Sequence, residues 1–208
     1  MSNWYARVLA AGWAAVLAAT LTAAPALAAT TWTIKPGGAI TAMSGRFTVT
    51  DATTGSVITC SHSTASGTFK SGSGLSKSRV GSLSAVGFTR CTGANGPDFS
   101  VRAGLPWPVN LLSYSAAKGV AHGTLSPIQI TMSGNGCNFV IDGPPGLPRD
   151  GREEFKYVNS TGRLTLQSTD NLTFQDVSAG CLGGWNDGDW ATLGAIYTVT
   201  PKQAITSP

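Results

Sequence analysis

At 208 residues, with a formal net charge of only +4 and 12% charged side chains, the chain excludes several classes at once. Its Lys and Arg residues are scattered, without the basic stripe and interleaved aromatics that phosphate binding needs, so nucleic acid is not expected as a partner. The low charged share suits a compact β protein rather than a disordered tail, and the length fits one domain with a real core.

The first segment reads as an export signal. Arg7 precedes an uncharged, Ala-rich run from Val8 to Leu21, and Pro25 then leads to Ala26-Leu27-Ala28, a small-x-small cleavage site. The run is short for a membrane helix of about 20 residues. Residues 1–28 are therefore expected to be removed, leaving residues 29–208 as a secreted domain, extracellular or associated with the cell envelope. No later run is long enough to span a membrane as a helix.

Past that point the sequence lacks a helical apolar period. Short Thr-, Val-, Ile- and aromatic-rich runs recur instead, punctuated by Gly, Ser, Asn and Asp. Thr31-Trp32-Thr33-Ile34 stops at Lys35-Pro36-Gly37-Gly38. Arg46 to Thr50 turns through Asp51–Gly55 into Val57–Cys60, a hairpin in which Gly55 supplies positive φ. Ser63 to Ser78 is Ser/Gly-rich, and reads as loops around a weak strand at Thr68-Phe69-Lys70. From Arg79 to Arg90 the step from Leu83 to Val86 breaks alternation and predicts a bulge near Ala85. Phe99 to Arg102 and Val109 to Tyr114 are further strands, and Ser126-Pro127 divides Gly119–Leu125 from Ile128–Met132. Cys137 to Ile141 runs into an irregular Pro-rich stretch, Gly143 to Gly151. Phe155–Val158 pairs with Arg163–Leu166 across Asn159–Gly162, and Trp190–Val199 closes the fold. About a dozen such strands predict an antiparallel, all-β sandwich or barrel.

All four cysteines, Cys60, Cys91, Cys137 and Cys181, follow the signal, and an even count in an oxidising compartment implies two disulfides. No closely spaced pair suggests zinc, and no metal or cofactor is expected. Four cysteines allow three pairings. The favoured one joins Cys60 to Cys91 and Cys137 to Cys181, so that each bridge closes one half of the chain and stabilises it by roughly 4 kcal/mol in the chain-entropy model. A faint echo between Val86–Gly93 and Val177–Gly183 suggests two pseudo-repeated halves, although chance likeness among Gly/Thr-rich strands explains it nearly as well.

Several pieces are similar to small secreted actinobacterial proteins without an assigned function. They are Thr31 to Gly38, Ser71 to Leu75, Phe88 to Gly93, Leu105-Pro106-Trp107, Ser133 to Cys137, Tyr157 to Gly162, and Gly188 to Ala191 leading to Tyr197–Pro201. The resemblance spans essentially the whole mature chain. It implies a secreted single domain with paired cysteines, and it brings no catalytic or binding residues with it.

Candidate chemistry is sparse. His62 and His122 have Ser63, Ser113 and Ser126 as conceivable partners, but no G-x-S-x-G elbow is present. Glu153-Glu154 and the pair Asp187 and Asp189 are carboxylates that a glycosidase would need spaced about 5–9.5 Å apart. Asn186-Asp187-Gly188-Asp189 offers clustered oxygens to calcium, but reads better as a turn. Trp107, between two prolines, and Trp185, after two glycines, are the aromatics expected to offer an exposed contact, whereas Trp190 and Tyr197 are expected in the core. The sequence thus favours a non-catalytic surface-binding protein acting through Trp107, Trp185, Asp187 and Asp189. A cell-envelope glycan, a small ligand or an extracellular protein would be its partner. A secreted glycan hydrolase using Asp187 or Asp189 is the second reading, and a structural envelope or coat component the third.

Overall fold

The computed structural model describes residues 31–93, 98–134, 136–146, 149–167 and 171–208, and the expected signal, residues 1–28, lies outside them. The first nine strands are β1 (Trp32–Lys35), β2 (Gly38–Ser44), β3 (Phe47–Asp51), β4 (Val57–Phe69), β5 (Gly72–Leu75), β6 (Gly81–Gly93), β7 (Asp98–Ala103), β8 (Trp107–Ser115) and β9 (Val120–Ile128). The others are β10 (Ile130–Gly134), β11 (Cys137–Asp142), β12 (Gly151–Val158), β13 (Arg163–Gln167), β14 (Thr173–Gln175), β15 (Ala191–Thr200) and β16 (Ala204–Thr206). Among the described residues the one helical element is a 3-10 turn at Ala179–Cys181, and no helix is long and apolar enough to cross a membrane.

The all-β expectation holds, in its barrel form. Antiparallel pairing runs β4–β6–β8–β9–β12–β13–β15–β2 and returns to β4, closing eight strands on themselves. Alternation decides what lies inside. On β15, Ala191, Leu193, Ala195, Tyr197 and Val199 are buried while the residues between them are half-buried or exposed. Closure leaves these strands no free edge along the ring, and a ring of this size is just wide enough to be filled by side chains or to hold one small ligand.

The Ser/Gly-rich region after Cys60 departs from expectation. Instead of loops around a weak strand, it continues β4 for thirteen residues to Phe69 and then forms β5. Small residues serve here because β4 and β6 approach closely. A Cβ on Gly67 would overlap the Ser82 carbonyl oxygen, and one on Gly81 would lie 2.6 Å from the Thr68 oxygen. The expected bulge is present: Ser66 faces Ala85 while Gly67 faces Leu83, leaving Ser84 as the extra residue. Ser126-Pro127 does not divide two strands as expected but lies within β9, and the break falls at Gln129. The β3–β4 hairpin forms as read. Asp51 Oδ1 accepts the Thr53 and Thr54 N–H groups at 2.8 and 2.9 Å, and Gly55 sits at φ 76°.

Two smaller units attach to the barrel. β7, β10, β11 and β14 extend from β6 as a wing, whose core joins Phe99, Phe139, Phe174 and Trp185. β16–β1–β5 form a three-stranded sheet that contributes Trp32, Ile34 and Ile205 to the core. It is tied to the β12–β13 hairpin by the Asn159 amide, which donates to the Ile205 carbonyl at 2.8 Å and accepts from its N–H at 3.1 Å. Both expected disulfides are present, in different settings. Cys60–Cys91 crosses the β4–β6 ladder, and Cys137–Cys181 fastens the 3-10 turn to β11.

Gly67→Ala should therefore cost about 1–3 kcal/mol through forced separation of two strands. Gly45→Ala, where a methyl group meets nothing within 4 Å, should stay within about 0.5 kcal/mol of wild type. Urea unfolding of the two variants measures both.

Candidate ligand site in the barrel lumen

Inside the ring is a cavity of about 50 Å3. Its walls are apolar, with Ile40, Phe69, Leu125 and Leu166 among them, and three polar side chains reach it: Trp107, Glu153 and Tyr197. Two of these already have partners. The Trp107 indole N–H donates to the Gly104 carbonyl at 3.1 Å, and the Tyr197 hydroxyl is paired with Ser63 Oγ at 2.7 Å. Burial pushes the Tyr197 phenol up to about 12, with the Ser63 hydrogen bond acting weakly against it.

Glu153 is the exception. On β12 the residues facing inward are Gly151, Glu153, Phe155 and Tyr157, while Arg152 and Glu154 point outward and form a 3.4 Å ion pair. The Glu153 side chain is 1% exposed, opposite Leu125 of β9, and neither carboxyl oxygen has a hydrogen-bond partner. Loss of solvent, and secondarily the negative charge of Glu154, push its pKa up to about 9. At neutral pH the group is a carboxylic acid with one O–H to donate.

The neighbouring loop holds this part of the lumen in place. Buried Asp142 accepts four hydrogen bonds: Oδ1 from the Gly143 and Gly151 N–H groups, Oδ2 from Gln129 Nε2 and the Arg149 N–H, at 2.8–3.0 Å. Arg149 in turn donates a guanidinium N–H to the Gly104 carbonyl at 3.0 Å, the oxygen that also receives the Trp107 N–H. One carboxylate thereby fixes both the start of β12, two residues before Glu153, and the carbonyl that orients Trp107.

The residues expected to carry function are placed otherwise. Trp107 and Trp185 are 5% and 9% exposed, so neither offers the open face anticipated for it. Trp107 lines the lumen, and Trp185 stacks on Phe139 at 5.6 Å and meets Phe99 edge-on at 5.7 Å. Trp190 is the exposed one, at 39%. It precedes β15 seven residues before Tyr197, and an odd spacing along extended chain puts the two on opposite faces. Asp187 Oδ1 accepts the Val177 N–H at 2.9 Å, and Asp189 Oδ2 accepts from the Asn186 amide at 2.8 Å. Both carboxylates are engaged in holding their own loop. Among the described residues no group of three His, Cys, Asp or Glu could hold a metal ion.

Of the serines considered as partners, Ser113 faces His122 across the β8–β9 ladder, and Ser63 follows His62 on β4. His62 is exposed on β4 while its neighbour Ser63 is buried, and His122 Nδ1 lies 3.2 Å from Gln167 Oε1. Glu153 was open to discovery in the sequence. In Glu153-Glu154-Phe155-Lys156-Tyr157, strand alternation groups Glu153 with Phe155 and Tyr157, a signal stronger than its adjacency to Glu154.

No family model matches the chain, and neither does any curated protein or solved structure.

Because the folded pKa of Glu153 lies above its unfolded value, the unfolded chain releases this proton first, and folding is penalised increasingly as pH rises from about 4.5 to about 9. Glu153→Gln, which cannot ionise, should match wild type near pH 4.5 and exceed its stability by a widening margin up to pH 9. Urea unfolding across that range measures the gap.

Proposed function

We propose that the protein is an exported, non-catalytic β-barrel that holds a small, mainly apolar molecule in its lumen. The observation that carries this reading is the apolar cavity inside the ring with a buried, unpartnered carboxyl in its wall. An apolar pocket with a few convergent polar groups is the usual form of a small-ligand site, and at about 50 Å3 this one is sized for a very small molecule. Leaving a buried acid without a partner costs stability, and a ligand atom that met it would offset that cost. Two disulfides fit an oxidising compartment, in keeping with the signal-like start and with the resemblance to secreted actinobacterial proteins.

Nothing in the geometry favours the other readings. A surface contact through Trp107 and Trp185 meets two buried side chains, and a hydrolase would have to free Asp187 or Asp189 from the turn contacts each makes.

A ligand-observed NMR screen of small apolar compounds should find binders. Binding should be lost in Ala65→Phe, which fills the lumen, and unchanged in Asp189→Asn. Binding that survives Ala65→Phe and disappears in Asp189→Asn would place the site on the outer turn and reject the lumen.

A further inference from the structure

We infer that the molecule held in the lumen is uncharged and mostly hydrocarbon, with one carbonyl or hydroxyl oxygen that accepts a hydrogen bond from the Glu153 side chain. This rests on the lumen-binding reading above and adds the chemical class of the ligand. Of the three polar side chains that line the cavity, Trp107 and Tyr197 each have a partner, and Glu153 is the one without. One free donor matches one ligand oxygen.

Other ligand classes fail on the same inventory. A sugar would bring several hydroxyl groups to walls that can satisfy one, and each remaining group would be buried unpaired. An ammonium ion would present three N–H groups to a single carboxyl and require a buried ion pair, whose desolvation needs further hydrogen bonds that the lining lacks. An anion would meet Glu153 with Glu154 behind it, and no cationic side chain lines the cavity. Size sets a further limit. A buried water needs about 10–15 Å3, whereas benzene fills an apolar cavity of about 150 Å3, so a space of about 50 Å3 admits a molecule of roughly four non-hydrogen atoms and no six-membered ring.

The test uses three small compounds of similar branched shape, acetone, 2-methylpropane and isopropylammonium, titrated into the folded protein at pH 6 and followed by NMR. Wild type is compared with Glu153→Gln, which keeps a donor, and Glu153→Leu, which removes it, each checked for native circular dichroism. The ratio of ketone to hydrocarbon affinity should be about tenfold higher in wild type and Glu153→Gln than in Glu153→Leu, and isopropylammonium should not bind. An equal ratio in all three proteins would overturn the ligand class while leaving lumen binding standing. Isopropylammonium binding lost in both variants would overturn it by making Glu153 a cation site. Failure of every probe with every variant would remove the lumen-binding reading itself.

Discussion

Closing eight strands into a ring dictates the character of everything inside it. Strand alternation sends every second residue inward, and the ring excludes water from whatever those residues are. Nearly all are aliphatic or aromatic, and their burial is the main force holding the barrel together. At one inward position of β12 the same alternation admits a carboxyl group. Removal from solvent then holds the Glu153 proton in place at neutral pH, because an ionised carboxylate there would lack both water and a counter-charge.

The rest of the molecule serves this interior. The wing adds an aromatic cluster to the common core, anchored by Cys137–Cys181. The β16–β1–β5 sheet is fastened to the β12–β13 hairpin through Asn159, and to Tyr157 through Gln203, whose N–H donates to the phenol oxygen at 2.8 Å. Asp142 links the Pro-rich loop to the start of β12 and, by way of Arg149 and Gly104, to Trp107. With four hydrogen bonds Asp142 is fully satisfied and Glu153 has none, although both are buried. The contrast marks Asp142 as a structural carboxylate and Glu153 as one with an unmet hydrogen bond.

Much of the fold was legible because local rules and long-range packing agree. The hairpins at Asp51–Gly55 and Asn159–Gly162 and the bulge near Ala85 follow from turn chemistry and alternation, and of the three possible cysteine pairings the favoured one is present. The reading failed where side-chain size mattered more than hydrophobicity. Gly67 looks like a loop residue, yet it lies in a paired strand, where the opposing backbone leaves no room for a Cβ. The site was harder to see, since its defining residue belongs to an ordinary amphipathic strand and burial depends on which face closes inward. Trp107 and Trp185 were singled out by their Pro and Gly neighbours, which mark turns, but each ring folds back from its turn into a core.

The most direct test of this account is the protonation state of Glu153 itself, followed through its side-chain carboxyl 13C chemical shift across a pH titration of the folded protein. A buried carboxyl without a partner predicts a group still protonated at pH 7, with a midpoint near 9. A midpoint near 4.5, the ordinary value for glutamate, would show a solvated or paired carboxylate and contradict the apolar lumen on which the account rests.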